Sequence, residues 1–203
     1  MNYKKVANDH SGFESKDKAP HPSQEITHLV ANGSAVRIAT LLAPLAEDMG
    51  FVLVRVRFSG SDGQTLQIMA ERLDGTMVVE DCEQLSRALS ALLDVEDAVS
   101  GSYVLEVSSP GLERPLSRMQ DFERWVGYEV SLEGVTDSST EGNRRNWRGI
   151  LRGIEGDIVL LDTPDTQGIV RMPFETLVRA RLTATDEMMR KSLKKQSMMQ
   201  SQA

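Results

Sequence analysis

Apolar residues recur at helical spacing shortly after the first thirty residues of the chain. They are Ile38, Leu41, Leu42, Leu45 and Met49. Spacings of three and four residues place these side chains on one face of a helix, which predicts an amphipathic helix with Ser34 as a possible N-cap and Gly50 as its stop. Pro44 lies inside this segment. We expect it to kink or divide the helix, because proline lacks the backbone N–H and crowds the preceding turn.

The next two segments alternate apolar and polar residues, as half-buried strands do. The apolar positions are Val52, Val54, Val56 and Phe58 in the first segment and Leu66, Ile68 and Ala70 in the second. The residues between them, Gly60-Ser61-Asp62-Gly63, favour a turn, so the two strands are predicted to form a hairpin. The same four residues match the GXXG clamp of KH domains. That clamp joins two helices in cationic surroundings, so the hairpin turn is the better interpretation.

A second amphipathic helix and a third strand follow. Glu80 and Asp81 complement a helix N-terminus and are otherwise interpreted as part of a solvated face. The helix stripe is formed by Cys82, Leu85, Leu89 and Leu92, and the strand by Tyr103, Leu105 and Val107. Two helices on one face of a small three-stranded sheet would bury both stripes, so an N-terminal α+β domain is predicted at residues 26–116. Cys82 is interpreted as a small core residue rather than a reactive thiol.

Beyond Pro115 the chain changes to short β-rich segments separated by turn residues. These segments are 128–132, 147–154, 158–161, 169–172 and 177–182. Their spacing predicts a small all-β barrel over residues 117–183, with a short helix at 119–126. Residues 1–25 are predicted to be a disordered leader, and residues 184–203 a flexible or helical tail.

The residue inventory excludes several classes of function. The three histidines, His10, His21 and His28, precede the first strongly patterned segment, so the folded body that follows is expected to have no imidazole as a base or metal ligand. The sequence contains no G-x-G-x-x-G and no glycine followed by lysine, which excludes the common nucleotide-binding loops. The chain is therefore predicted not to be an enzyme, with no catalytic residue, cofactor or metal. It also has one cysteine, no long apolar run and no export signal, so a cytoplasmic protein without membrane contact is expected.

Charge is distributed unevenly between the two predicted domains. Residues 26–116 carry 6 basic and 13 acidic side chains, a net charge of −7, whereas residues 117–183 carry 9 and 11, a net charge of −2. An acidic first domain favours a basic partner over a nucleic acid duplex. The positive charge of the second domain is concentrated in Arg144, Arg145, Arg148 and Arg152.

That arginine-rich segment enters a predicted barrel strand. Strand alternation places Trp147, Gly149 and Leu151 on one face and Arg148 and Arg152 on the other. Trp147 is interpreted as a core residue rather than a platform for base stacking. The arginines either form a solvated edge or bind phosphate or carboxylate groups, and both interpretations remain open.

The segment between the two predicted domains contains two prolines and a glycine. Pro110 and Pro115 each fix a backbone angle and Gly111 allows a turn, so residues 108–116 are predicted to form a stiff linker. Glu113 and Arg114 would also be a polar element held rigidly between two domains. The candidate binding residues of the whole chain are Ser109, Pro110, Gly111, Glu113, Arg114, Pro115, Arg144, Arg145, Arg148 and Arg152.

Four segments resemble a known family. They are Val79-Glu80-Asp81-Cys82, Leu93-Asp94-Val95-Glu96-Asp97, the junction Leu105-Glu106-Val107-Ser108-Ser109-Pro110-Gly111-Leu112-Glu113-Arg114-Pro115-Leu116, and Asn143-Arg144-Arg145 with Trp147 and Gly149. The chain resembles the ribosome maturation factor RimP family over about residues 34–182, and the junction motif is long and specific.

The resemblance implies an N-terminal α/β domain followed by an SH3-like barrel, which agrees with the two domains predicted from the pattern. It also implies a non-enzymatic assembly factor for ribosomal small subunit biogenesis, that is, 30S maturation. Its partners would be the free, immature small ribosomal subunit and a basic ribosomal protein near the decoding centre, with rRNA as a further contact. A monomer without a small-molecule substrate is expected. The alternative is a general single-stranded RNA-binding module that uses the C-terminal barrel.

Overall fold

The computed structural model describes residues 25–60, 65–135, 144–164 and 168–184. Within them the helices are α1 (Ala35–Asp48), α2 (Val79–Val95) and α3 (Met119–Arg124), with a 3-10 helix at Phe174–Thr176. The strands are β1 (Phe51–Ser59), β2 (Thr65–Arg72), β3 (Val104–Ser108), β4 (Glu129–Val135), β5 (Arg144–Glu155), β6 (Ile158–Asp162), β7 (Ile169–Pro173) and β8 (Leu177–Leu182). The predicted leader and tail lie almost wholly outside the described residues.

Helix α1 is a single continuous helix, so of the two expected effects of Pro44 a division is wrong and a kink stays a prediction. Pro44 cannot donate a hydrogen bond to the carbonyl of Thr40, one turn earlier in the helix. Both residues are exposed. The carbonyl that proline leaves unpaired can therefore bind water, which reduces the cost of proline inside a helix. On the opposite side of α1, Ile38 and Leu42 are buried.

The predicted order of helix, strand, strand, helix and strand is confirmed. Strands β1 and β2 form the expected antiparallel hairpin, and β3 pairs with β2 in parallel, giving the sheet order β1-β2-β3. Part of the predicted turn, residues 61–63, lies outside the described residues. The β1–β2 register shifts between Leu53 and Arg55, which leaves Val54 as an extra residue. This bulge changes the alternation, so Leu53 and Val56 both face the helices.

Helices α1 and α2 share one apolar core with the three-stranded sheet, which confirms an N-terminal α+β domain. Leu85, Leu89 and Leu93 form the buried stripe of α2, and Cys82 is half-buried beside it. The interpretation of Asp81 as part of a solvated face is wrong, because its side chain is buried and forms an ion pair with Arg72. Asp81 also accepts a hydrogen bond from the backbone N–H of Val78, at 3.1 Å, at the start of α2.

The remaining strands form a separate five-stranded antiparallel sheet in the order β7-β6-β5-β4-β8. Strands β7 and β8 lie at opposite edges, about 19 Å apart if the sheet were flat. The four residue steps from Pro173 to Leu177 span at most about 14 Å. The sheet must therefore curl to bring its two edges together. A C-terminal β domain is thus present, and its SH3-like topology remains a prediction.

The β domain has its own apolar core on the concave side of this sheet. Trp147 is only 9% exposed and belongs to this core, which confirms that it is not a stacking platform. The short helix α3 was also predicted, and its Phe122 is fully buried in the same core. Among the described residues, no helix is both long enough and apolar enough to cross a membrane.

Candidate interaction surfaces around the domain junction

The junction segment is bonded to the edge of the β domain. The backbone N–H of Leu116 donates to the carbonyl of Ala180 at 2.9 Å, and that of Leu182 donates to the carbonyl of Arg114 at 3.0 Å. Pro115, which has no N–H to donate, forms a β-bridge with Arg181. Residues 114–116 therefore extend the sheet beside β8, and the linker is fixed on the side of the β domain.

A buried ion pair holds the other side of the junction. Nη2 of Arg114 donates to Oε1 of Glu71 at 2.6 Å, and the two side chains are 6% and 1% exposed. Glu71 lies on β2, so this contact joins the linker to the α+β domain. The guanidinium of Arg114 also lies 5.2 Å from the ring centroid of Trp125, close enough for a cation–π interaction. Arg114 is thus held from both domains.

The start of α3 adds a second arginine to the same carboxylate. Nη2 of Arg118 lies 3.0 Å from Oε1 of Glu71 and 2.7 Å from Oδ1 of Asp121. Asp121 is buried, and its carboxylate also accepts the backbone N–H groups of Ser117 and Arg118 at 2.9 and 3.0 Å. Burial is the largest single influence on the pKa of Arg118 and lowers it, but the charges of Asp121 and Glu71 and the hydrogen bonds that Arg118 donates to them together raise this pKa above its ordinary value.

The segment before α1 makes a further contact between the domains. Oγ1 of Thr27 donates to the carbonyl of Ser117 at 2.5 Å. Nε2 of His28 hydrogen-bonds the carbonyl of Leu177 at 2.8 Å, and its ring meets the edge of Phe174 at 5.2 Å. His28 was predicted only to precede the first strongly patterned segment. The structure places it between the two domains, as a packing residue.

The other predicted site residues of the junction are more accessible. Ser109 and Gly111 are exposed, and Pro110 is half-buried. Gly111 has φ 68° and open space around its Cβ position, as a turn glycine does. Glu113 is exposed and pairs with Arg181 of β8, with 2.7 Å between Oε2 and Nη1.

The convex side of the β domain carries an arginine face, which we define as Arg144, Arg148, Arg179 and Arg181 with Glu129 and Glu133. Arg148 Nε donates to Glu129 Oε1 at 2.6 Å, and Arg144 Nη1 to Glu133 Oε1 at 3.3 Å. The arginines are 48–66% exposed, whereas the two carboxylates are only 29% and 20% exposed. A partner would therefore meet guanidinium groups first. The pKa of Arg148 is raised by its hydrogen bond to Glu129.

The two remaining predicted arginines lie elsewhere on the β domain. Arg145 is on the other side of β5, with its guanidinium 5.6 Å from the ring centroid of Trp147. Arg152 is the extra residue of a bulge in the β5–β6 register and pairs with Asp162, with 2.5 Å between Nη2 and Oδ2. The predicted cluster is thus divided, and only Arg144 and Arg148 share one face. Sequence reasoning missed Arg179 and Arg181, although their alternation in β8 marks one strand face.

An acidic group of residues lies at the C-terminal end of α2. Asp94, Glu96 and Asp97 are all exposed, and α2 has no basic residue in its last turn. Acidic side chains at this end of a helix oppose the helix dipole. Asp97 also has φ 44°, a left-handed conformation that is unfavourable for most residues other than glycine. Helix stability does not account for these residues, which makes them candidates for partner binding.

In the part of the chain that the structure describes, no three His, Cys, Asp or Glu side chains are grouped so that they could hold a metal ion. Burial raises the pKa of the Cys82 thiol, which opposes thiolate formation.

Together, the described residues form an α+β domain joined through a buried ion network to a curled β domain, with acidic and basic surfaces on different domains. Residues 41–113 match the family model of the RimP N-terminal domain. The α+β domain of this chain is similar to that domain, which confirms the resemblance to RimP over this part of the sequence and supports a RimP-like family of ribosome maturation factors.

Proposed function

We propose that the protein is a non-enzymatic assembly factor that binds free, immature small (30S) ribosomal subunits during their maturation in the cytoplasm, and that it acts as a monomer. The observation that carries the proposal is the RimP N-terminal domain at residues 41–113. The separation of acidic and basic surfaces supports it, because a ribosomal subunit offers both basic proteins and phosphates. The SH3-like topology of the β domain is part of this proposal.

The acidic end of α2 is the proposed docking site for a basic ribosomal protein near the decoding centre. Asp94, Glu96 and Asp97 project from one short stretch at the end of the helix and are exposed. Opposite charges on two partners accelerate and orient association, and added salt screens them with a Debye length of about 8 Å at physiological ionic strength. Binding to the subunit should therefore weaken as salt rises.

The arginine face is the proposed second contact, to rRNA or to an acidic protein surface. Arg144 and Arg148 keep exposed guanidinium groups although both are paired. Planar guanidinium groups bind phosphate and carboxylate in a two-pronged geometry. Arg114 has a different role in this proposal: it holds the two domains together so that both surfaces face the subunit at a fixed angle.

The acidic contact is tested with the triple variant Asp94→Asn, Glu96→Gln and Asp97→Asn. Asparagine tolerates the left-handed backbone at position 97, so the fold is retained, and removal of the unfavourable helix charges should not lower stability. A control that removes three exposed acids of the β domain is Glu155→Gln, Asp157→Asn and Glu175→Gln. We expect the first variant to co-sediment at least tenfold less tightly with free small subunits, and the control to bind within twofold of the natural protein. Equal losses in both would remove the end of α2 from the site.

The basic contact is tested with Arg144→Ala, Arg145→Ala and Arg148→Ala together. All three side chains are exposed, so the β domain should remain folded by circular dichroism while subunit binding falls. The control replaces three other exposed arginines, Arg37, Arg87 and Arg171, with alanine. Unchanged affinity of the first variant would exclude the segment from the interface.

The second candidate function is a general single-stranded RNA-binding module built on the β domain. The exposed arginines favour it, but Trp147 is buried and therefore offers no surface on which bases could stack. This alternative predicts equal or stronger binding to naked rRNA than to free small subunits.

A further inference from the structure

A cleft lies between the two domains on the side away from α1 and α2. It has a volume of about 300 Å³ and is lined by residues 28–32, by β1, by the junction and by strands β5 and β8. Four arginines line it, and they come from both domains: Arg55 and Arg57 from β1, Arg144 from β5 and Arg179 from β8. Residues far apart in the sequence thus bring four guanidinium groups to one place.

The positive charge of this cleft is only partly compensated. Glu133 supplies a carboxylate to two of the arginines, at 3.3 Å from Arg144 and 4.0 Å from Arg179. Arg57 instead donates its Nε to the neutral amide oxygen of Gln67 at 2.9 Å. Nε of Arg55 is buried and has no hydrogen-bond partner among the described residues.

Arg55 is the arginine of the cleft whose charged form is most disfavoured. Burial, followed by repulsion from Arg57 and Arg179, lowers the pKa of Arg55 to about 10. A folded-state pKa below that of the unfolded chain means that the charge on Arg55 destabilises the fold at neutral pH. A bound anion would reverse this effect, since it would be attracted by the same groups that repel one another in its absence.

We propose that the cleft binds a backbone phosphate of single-stranded RNA. Four guanidinium groups converging from two domains can surround one phosphate with charge-assisted hydrogen bonds. This inference deepens the proposed function, on which it rests, because it assigns an RNA contact of the subunit to a site that includes both domains.

The charge of the cleft and the proposed function favour RNA over an acidic peptide. Sites for single-stranded nucleic acid follow the backbone with a positively charged groove, and four arginines supply that charge here. Phe58 also lines the cleft, but its side chain packs against the apolar core of the α+β domain, so the contact is to phosphate rather than to a base. The volume of the cleft is at the small end of the range of ligand sites, which suits one nucleotide of a strand that continues into solvent.

The test measures binding of a fluorescent oligouridylate of about eight nucleotides, within the range of single-strand site sizes, to the full chain by anisotropy at several salt concentrations. The variants are Arg55→Met and Arg179→Gln, and the control is Arg171→Gln, an exposed arginine on β7 whose partner is Glu155. We expect each cleft variant to weaken binding about tenfold, which corresponds to about 1.4 kcal/mol. Each should also make log affinity fall less steeply with log salt, by at most about 0.7 in slope, which is the value for one phosphate contact. The control should change neither quantity.

The unfolding midpoint of Arg55→Met distinguishes a binding role of Arg55 from a structural one. Arg55→Met keeps a long apolar stem and removes a repelled charge, so its unfolding midpoint should equal or exceed that of the natural protein. Loss of RNA binding together with a clear loss of stability would indicate a packing role for Arg55 and would overturn the proposal. Unchanged RNA binding in both variants would also overturn it.

A fluorescent peptide of about eight glutamates, matched in length to the RNA probe, distinguishes the two kinds of anion. The proposal requires tighter binding of the RNA, and equal or tighter binding of the peptide through the same arginines would contradict it. The oligonucleotide assay needs no ribosomal material. The experiment can therefore show that the cleft does not bind RNA although the protein still binds subunits. It can equally show that the cleft binds RNA although the protein does not bind subunits.

Discussion

Removal of the Glu71 carboxylate tests whether the junction joins the two domains into one unit. Glu71 is 1% exposed and faces Arg114, which is 6% exposed, and Arg118, which is 16% exposed. The substitution Glu71→Gln keeps the size of the side chain and removes its charge. It leaves the guanidinium of Arg114 buried without its counter-ion.

The size of the effect follows from which partner is removed. Loss of one member of a buried ion pair costs about 3–5 kcal/mol, because the other charge stays desolvated and uncompensated. Arg114→Met should cost less than Glu71→Gln, since the Glu71 carboxylate would still contact Arg118 at 3.0 Å. The double variant should cost less than the sum of the two single variants, because it removes both buried charges of the pair.

Urea denaturation measures these differences with two probes. Both tryptophans, Trp125 and Trp147, lie in the β domain, so their fluorescence reports its unfolding. Far-UV circular dichroism is dominated by α1 and α2 of the α+β domain. With a urea dependence of about 2 kcal/mol per molar, a loss of 3 kcal/mol lowers the midpoint by about 1.5 M. We expect both probes to shift together in Glu71→Gln.

The control is Arg171→Met, which breaks the exposed pair with Glu155 and should cost less than about 1 kcal/mol. A midpoint for Glu71→Gln within about 0.2 M of the natural protein, far below the expected shift, would show that the Glu71 carboxylate does not stabilise the junction. A shift in only one probe would show that the network stabilises one domain without coupling the two.

Three further predictions concern the interior of the domains. The hydrogen bond from Arg72 lowers the pKa of Asp81, so the ionised Asp81 stabilises the fold above its unfolded pKa of about 3.9, and this stabilisation is lost as pH falls through the folded pKa. The difference in unfolding midpoint between the natural protein and Asp81→Asn should therefore shrink from pH 7 to pH 3. An equal difference at both pH values would contradict this. A Cβ at Gly149 would lie 2.2 Å from the carbonyl oxygen of Asp162, so Gly149→Ala should lower stability by about 2 kcal/mol or more, whereas a thermal midpoint like that of the natural protein would disprove the close approach. Burial raises the pKa of Cys82, so its alkylation by iodoacetamide at pH 7 should be slower than that of an unfolded control, and equal rates would show that the thiol is accessible.

The element order could be predicted from the sequence because it depends on local periodicity. The stripe of α2 and the alternation in β5 are visible within one segment, and Trp147 was assigned to the core on that basis. The same alternation places Gly149 on the face of Trp147, and the structure shows the backbone of Asp162 packed against this glycine. The continuity of α1 through Pro44 could not be predicted, because the free-energy cost of a proline depends on solvent access to the carbonyl of Thr40, which periodicity does not report.

The candidate sites were less predictable because they depend on contacts between distant residues. Arg114 was singled out correctly as a polar element of the junction, but its partner Glu71 lies 43 residues away in the sequence. Arg55 and Arg57 alternate with valines in β1, which marks an outward face. Arg55 and Arg57 lie near Arg179 only because the two domains pack together, which the sequence pattern does not show.

The proposed function requires the protein to select free, immature small subunits. Sedimentation of the purified protein with free small subunits, with full mature ribosomes and with naked rRNA, each at low and at high salt, tests this selection. We expect co-sedimentation with free small subunits to be stronger than with either other sample and to weaken as salt rises. Equal or stronger binding to naked rRNA, or binding to free subunits that salt does not weaken, would contradict it.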